Sequence, residues 1–131
     1  MRLLLDTHIW LWSILEPHKL SSEVHQSISD PGNDRFLSPV SIWEAIILLE
    51  KRRIEIDRDF GEWFEKSRQD FDFQEASLDW KVVHEMRFIM LGYKDPGDRF
   101  LAATAKAYDL TLVTADPRLL RIPGLKTLCN I

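Results

Sequence analysis

The sequence predicts an α/β protein in which a short, mainly parallel sheet is flanked by helices, an α/β/α sandwich. Short apolar segments alternate along the chain with segments whose apolar residues recur at helical spacing. Such alternation is typical of a parallel sheet built from strand–helix–strand units. The chain has 131 residues, of which 45% are apolar and 29% charged. This is enough for one buried core, so a single domain over 1–131 is expected.

The first half of the chain predicts two strands and three helices. The apolar run Leu3-Leu4-Leu5 indicates a buried strand that ends at Asp6, and Pro17 closes the apolar segment after it. The expected elements are a strand over 2–5, a helix over 7–14, a helix capped by Ser21 or Ser22 and ending near 28, a turn at 30–33, a strand over 35–38, and a helix over 42–52 that Ser41 precedes.

The second half predicts three helices and three strands. The helix that ends near residue 108 is rich in alanine, and the segment after it is apolar and β-branched, as strands often are. The expected elements are a helix over 60–69, a strand over 71–76, a helix over 78–86 capped by Ser77, a loop over 93–97, a helix over 98–108, and strands over 111–114 and 127–129.

Charge and composition exclude several classes of protein. The net charge is 17 − 21 = −4, whereas a protein that binds nucleic acid only by neutralising phosphates would be basic. Any such contact must come from a local basic patch, or the acids must do the chemistry. Cys129 has no partner for a disulfide, and no apolar run approaches the roughly 20 residues of a membrane-spanning helix. An acid at position 6 argues against an export signal, so we expect a cytoplasmic protein.

Four acidic residues from distant parts of the chain are predicted to meet at one edge of the sheet. In open parallel sheets, ligands bind beyond the carboxyl ends of the strands. Asp6 directly follows the first strand, and Asp116 lies two residues after the strand over 111–114. Glu44 is placed in the first turn of the helix after the second strand, and Asp98 in the first turn of the alanine-rich helix.

A carboxylate cluster of this kind indicates a bound cation, because carboxylates brought together repel one another. Oxygen ligands suit Mg²⁺ or Mn²⁺, which lower the pKa of a bound water and hold a phosphate oxygen, the chemistry of phosphodiester hydrolysis. Each acid also has a purely structural explanation. Asp6 can end a strand and Glu44 can lie on a helix surface. Asp98 can complete a capping arrangement begun by Asp95, and Asp116 can cap the turn that follows it.

Four sequence blocks carry a family resemblance. They are Leu-Leu-Leu-Asp-Thr-His-Ile-Trp-Leu-Trp at 3–12, Leu-Ser-Pro-Val-Ser-Ile-Trp-Glu at 37–44, Lys-Asp-Pro-Gly-Asp-Arg-Phe-Leu-Ala-Ala at 94–103, and Leu-Thr-Leu-Val-Thr-Ala-Asp at 110–116. In order and spacing the chain resembles a PIN-domain ribonuclease, specifically the toxin of a VapBC-type toxin–antitoxin pair. The resemblance runs through the whole chain and implies a PIN-domain fold.

This resemblance implies an Mg²⁺- or Mn²⁺-dependent endoribonuclease whose products would carry a 5′-phosphate and a 3′-hydroxyl. It implies that Asp6, Glu44 and Asp98 hold the metal, with Asp116 in an outer shell or acting through a water. The implied partners are a cognate antitoxin, an RNA substrate such as tRNA or rRNA, and a second copy of the chain in a homodimer. No membrane is implied.

Contacts with RNA are predicted from four residues near the acids. Thr7 directly follows Asp6, and Thr114 lies two residues before Asp116, although strand propensity alone also explains Thr114. Lys51 lies seven residues after Glu44, on the same helix face, and Arg99 adjoins the acid at position 98. Lys51 also has a structural explanation, because a cation at a helix C-terminus complements the helix dipole.

The chain departs from the family pattern at three places. Leu48 stands where relatives often have Lys, Tyr93 and Lys94 stand where they often have His and Arg, and Gly97 stands where many have Phe. None of these departures removes an acid. They therefore concern the contacts with substrate rather than the metal site.

Several alternatives remain open from the sequence. His8 suggests a general base beside the first acid, although a packed or half-exposed ring is the commoner role. Trp10 and Trp12 lie on different sides of one helix and cannot both be fully buried, so an exposed groove for the antitoxin is an alternative to a second packing layer. A non-catalytic PIN-fold module that binds RNA or protein is a second candidate function. A receiver-type phosphoacceptor domain fits less well, because Asp116 stands where it needs a lysine.

Overall fold

The computed structural model describes residues 1–90 and 95–131. Its strands are β1 (Arg2–Leu5), β2 (Asp34–Leu37), β3 (Phe73–Glu75), β4 (Thr111–Thr114) and β5 (Thr127–Cys129). They form one sheet in the order β3-β2-β1-β4-β5, and each neighbouring pair is parallel. Helices pack on both faces, which confirms the predicted α/β/α sandwich.

The helices divide into two layers around the central strand. They are α1 (Thr7–Leu15), α2 (Ser22–Ser29), α3 (Pro39–Glu50), α4 (Phe60–Asp70), α5 (Trp80–Glu85), α6 (Pro96–Ala107) and α7 (Pro117–Leu120), with short 3-10 turns at Pro17–Lys19 and Met86–Phe88. Leu4 of β1 packs in the core under α5 and α6, whereas Leu3 and Leu5 pack in the core under α1 to α4. This alternation explains why β1 is apolar at every position after Arg2.

The third helix begins three residues earlier than the sequence predicted. The Ser38 hydroxyl accepts a hydrogen bond from the Val40 N–H at 3.1 Å, and Pro39 occupies the first helical position. Proline suits that position because it has no N–H to satisfy there. Ser38 rather than Ser41 is therefore the N-cap, and Glu44 lies in the second turn of α3 rather than the first.

The fifth helix has a different cap from the one predicted. Asp79, rather than Ser77, caps α5 by accepting a hydrogen bond from the Val82 N–H at 3.2 Å. Because the cap lies two residues later, the helix begins at Trp80 instead of 78.

The sixth helix begins two residues earlier than predicted. Asp95 caps α6, with Pro96 at its first position, so the predicted loop over 93–97 is helical at its end. Residues 93 and 94 of that loop, which include the departures at Tyr93 and Lys94, lie outside the described residues. Strand β3 is also shorter than the predicted 71–76, at three residues.

The two tryptophans of α1 differ in burial, as the sequence predicted. Trp10 is fully buried against the rings of Trp63 and Phe64. Trp12 is half-buried, and the Lys19 ammonium lies 5.5 Å from the centre of its ring.

Among the described residues, no helix is both long and apolar enough to cross a membrane.

Candidate active site

The first acid of the candidate site is held where β1 and β4 end side by side. Leu5 is paired with Val113, so Asp6 and Thr114 follow in neighbouring positions beyond that pair. The Thr114 hydroxyl donates a hydrogen bond of 2.6 Å to Asp6 Oδ2. Asp6 is only 9% exposed, and this burial raises its pKa, with a smaller contribution from the charge of Asp116.

The second acid is held by a hydroxyl group of α1, which also contacts a hydroxyl group of α3. Thr7 Oγ1 lies 2.7 Å from Glu44 Oε1 and 2.8 Å from the Ser41 hydroxyl. Burial raises the pKa of Glu44, and the negative charges of Asp6 and Asp95 raise it further. The hydrogen bond from Thr7 lowers it in part. Glu44 is therefore oriented by neutral groups and repelled by its acidic neighbours.

Glu44 also approaches the first turn of α6 closely. A Cβ atom added at Gly97 would lie 3.0 Å from Glu44 Oε2 and 3.4 Å from Asp95 Oδ1. The glycine that departs from the family pattern therefore leaves the space into which this carboxylate fits. A larger side chain at Gly97 would require Glu44 to move.

The third and fourth acids share a guanidinium group. Asp98, 8% exposed, lies in the first turn of α6, where the Asp95 side chain accepts its N–H at 3.2 Å. Arg118 Nη2 lies 2.9 Å from Asp116 Oδ2 and 3.8 Å from Asp98 Oδ2. Asp116 also caps α7 by accepting the Arg118 N–H at 2.9 Å. The Arg118 side chain holds the pKa of Asp116 below its usual range.

These contacts bring the four predicted acids to one edge of the sheet. Asp6 and Asp116 are joined through Thr114, whose hydroxyl also accepts the Asp116 N–H at 3.1 Å. Asp116 and Asp98 are joined through Arg118, and Glu44 is close enough to Asp6 for the charges to interact.

The chemistry of this donor set fits a hard divalent cation. All of the acids offer oxygen, the ligand that Mg²⁺ and Mn²⁺ prefer. Mutual repulsion and burial both disfavour the ionised forms of Asp6 and Glu44, and a cation would offset both effects. Among residues 1–90 and 95–131, no three His, Cys, Asp or Glu side chains are already arranged as a metal site. Ligation by Asp6, Glu44 and Asp98 would therefore require their side chains to turn toward one another.

The predicted substrate-binding residues fall in different places. Thr7 and Thr114 contact the acids directly. Lys51 is exposed at the C-cap of α3. It lies about 10 Å from Glu44 along the helix axis, because the helix rises about 1.5 Å per residue. Arg99 is exposed and donates a hydrogen bond of 2.8 Å to the main-chain carbonyl of Met86.

Sequence reasoning missed two residues of this site. Ser41, expected to precede α3, lies inside the helix with its hydroxyl on Thr7. The second is Arg118, which lies two residues after Asp116, a spacing at which the side chain of an N-cap residue can reach it. His8, the candidate base, is exposed, and its charge lowers the pKa of Asp6.

Comparison with known proteins decides the family. The PIN domain sequence model matches residues 3–125. The chain belongs to the PIN-domain family. This confirms the resemblance carried by the four sequence blocks, and it leaves no place for the receiver-type alternative.

Relatives and solved structures agree with the PIN-domain assignment. The chain is 27% identical over 117 residues to ribonuclease VapC22 of Mycobacterium tuberculosis, and this alignment covers 88% of each protein. The structure of VapBC2 from Rickettsia felis, bound to a DNA fragment from its promoter, has 18% identity and a TM-score of 0.72 over the full length of both chains. A DNA-bound VapBC from Salmonella typhimurium has 17% identity and a TM-score of 0.68 over 98% of both chains. The two solved structures share the fold of this PIN domain.

Proposed function

We propose that this PIN domain is an Mg²⁺- or Mn²⁺-dependent endoribonuclease that acts as the toxin of a toxin–antitoxin pair. The observation that carries the proposal is the meeting of Asp6, Glu44, Asp98 and Asp116 at the carboxyl edge of a PIN-domain sheet. The similarity to a ribonuclease, VapC22, supports the reaction. The similarity to VapBC complexes supports the biological role.

Each acid has a distinct part in the proposed reaction. Asp6, Glu44 and Asp98 would hold the metal, and Asp116 would act in an outer shell or through a water. When bound, the metal would supply a water of lowered pKa and stabilise charge on the phosphate. Thr114 and Thr7 orient Asp6 and Glu44 by hydrogen bonding without neutralising them. Lys51 and Arg99, which are exposed, are the proposed contacts with RNA, whereas the predicted contacts Thr7 and Thr114 are buried and would act on RNA only through the acids that they hold.

The proposed partners follow from the same comparisons. We expect a cognate antitoxin to bind the chain, because the similar solved structures are VapBC complexes. A homodimer, a cytoplasmic location and a tRNA or rRNA target complete the proposal. A non-catalytic PIN-fold binding module is the alternative that the cleavage experiment below separates from a nuclease.

The proposal is tested by RNA cleavage with the purified, antitoxin-free chain. Total cellular RNA is incubated with Mg²⁺, with Mn²⁺ or with a chelator, and the new 5′ ends are mapped. We expect discrete cuts with 5′-phosphates that disappear with chelator. The Asp6→Asn protein, in which a neutral side chain replaces the buried carboxylate, should lose at least about 100-fold in rate, because even outer-shell partners of a metal cost 10- to 100-fold.

The control is the folding of the variant. Asn can still accept the Thr114 hydrogen bond and cannot ionise, so the melting temperature of Asp6→Asn should not fall. Cleavage that survives in Asp6→Asn would contradict the assigned site. Absence of cleavage by a folded wild-type chain would favour the binding module.

A further inference from the structure

A small cavity opens beside Glu44. Its volume is 210 Å³, below the roughly 300–1,000 Å³ of pockets for drug-sized ligands, so it has room for one ring system. Its lining includes Thr7, His8, Trp43, Glu44, Ile47 and Leu48. The cavity therefore shares a wall with the carboxylate cluster and is otherwise formed largely by apolar and aromatic groups.

Trp43 is exposed at this cavity because of the way α3 packs. Ser41 and Ala45, two positions before and after it, are fully buried, so the side chain between them is turned outward. The indole is 55% exposed, whereas Trp10 and Trp63 are buried in the core. An exposed aromatic ring beside a candidate site for phosphodiester cleavage is the arrangement that proteins use to stack unpaired bases.

We propose that this cavity is a nucleobase subsite, in which one unpaired base of the RNA stacks on Trp43 while an adjoining phosphate lies at the carboxylates. This inference rests on the proposed function and adds to it the means by which the strand is held. Phosphate attraction alone is weak for a chain of net charge −4, so stacking on an aromatic ring would supply binding that does not depend on charge.

The lining of the cavity favours a base over a phosphate or a sugar. Glu44 and Asp95 both lie in its wall, and away from a bound cation their negative charges repel a phosphate. Their oxygens can accept hydrogen bonds from the N–H groups at the edge of a base. Leu48, which stands where relatives often have Lys, adds an apolar group and no cation to the lining. A larger cavity of 740 Å³ also borders Trp43, but its lining includes none of the four acids.

The test measures binding without cleavage, so every protein carries Asp6→Asn. Fluorescence anisotropy in Mg²⁺ compares a labelled decauridylate with a decamer of abasic ribose phosphates of the same charge. We expect the parent to bind the decauridylate roughly 5- to 150-fold more tightly than the abasic decamer, the range expected for base–aromatic stacking. Trp43→Leu keeps an apolar side chain without an aromatic face, so it should bring the ratio of the two affinities close to one. Trp43→Phe should retain part of the preference for the decauridylate.

The matched control is Trp80→Leu. Trp80 is 85% exposed at the start of α5 and lines neither cavity, so its replacement should leave the ratio unchanged. Equal affinity of the parent for the two decamers, including no binding of either, would overturn the subsite. A ratio that survives in Trp43→Leu would also overturn it and would assign the exposed ring to a protein partner. Failure of the nuclease proposal would appear separately, as absence of RNA cleavage by the chain with Asp6 intact.

Discussion

The two sides of the carboxylate cluster are stabilised in different ways. On the inner side, neutral hydroxyls orient Asp6 and Glu44, and no Lys or Arg of the described residues forms an ion pair with either acid. On the outer side, Arg118 contacts both Asp98 and Asp116. Burial raises the pKa of the inner acids, whereas the guanidinium lowers the pKa of Asp116.

This difference shows where a cation is needed and what competes with it. The hydroxyls on the inner side satisfy hydrogen-bonding capacity without adding a positive charge of their own, so this side gains most from a bound divalent ion. The outer side already has a positive charge within reach. Because the Arg118 side chain is 51% exposed, it can move into solvent when another cation binds.

Among variants that keep all four acids, the largest effect is expected from breaking the inner side at Thr114. Thr114→Val keeps the shape of the side chain but leaves Asp6 Oδ2 without its 2.6 Å hydrogen bond. The free energy of unfolding should fall by about 1 to 3 kcal/mol, the cost of an unsatisfied buried polar group. RNA cleavage should fall about 10- to 100-fold, as for other residues that orient metal ligands. Chemical denaturation and cleavage rates measure the two effects.

Two further variants separate orientation of Asp6 from simple packing. Thr114→Ser keeps the hydroxyl and should restore most of the cleavage activity. Thr104→Val removes an equally buried hydroxyl, but that group donates to the Phe100 carbonyl within α6 and touches no acid. Thr104→Val should therefore leave cleavage unchanged, and an equal loss of activity in both valine variants would argue against a specific role for Thr114.

A smaller effect is expected in the pH dependence of stability without metal. The pKa of Asp6 is raised above its ordinary 3.8, so the folded state binds more protons than the unfolded state between 3.8 and the raised pKa. The melting temperature of the wild type should therefore fall relative to that of Asp6→Asn as the pH rises through this window.

The outer side should show the opposite dependence. Because the pKa of Asp116 is lowered, its carboxylate stabilises the folded state above pH 3.8. This contribution to stability is lost as the pH falls through the lowered pKa. The melting temperature of the wild type should therefore exceed that of Asp116→Asn at neutral pH, and this difference should disappear only in acid. Melting temperatures of the three proteins across the pH range measure both windows, and parallel profiles would contradict the distinction between the two sides.

The sequence was sufficient to predict the sheet and the positions of the acids relative to it. Strand β1 is apolar at three successive positions and ends at Asp6, and β4 ends at Thr114 just before Asp116. Because parallel strands present their carboxyl ends at one edge, these local patterns already predict that both acids lie there.

The contacts within the site could not be predicted in the same way. Ser41 was expected to precede α3, but it lies inside the helix, where its hydroxyl contacts Thr7 on another helix. The contact of Thr7 with Glu44 joins residues 37 positions apart, so no local pattern contains it. Arg118 could have been noticed from its spacing to Asp116, but its approach to Asp98 depends on how α6 and α7 pack.

The most direct test of the account is a titration of the RNA-free protein with Mn²⁺. The electron paramagnetic resonance signal of the free ion measures how much Mn²⁺ stays unbound at each step. We expect saturable binding by the wild type, weakened more than about tenfold in Asp6→Asn. Arg118→Gln should strengthen binding by about two- to fivefold, the equivalent of one lost surface ion pair, and the exposed Arg121→Gln should have no effect. Equal affinity of the wild type and Asp6→Asn, or weaker binding by Arg118→Gln, would contradict a cation site that Arg118 partly occupies.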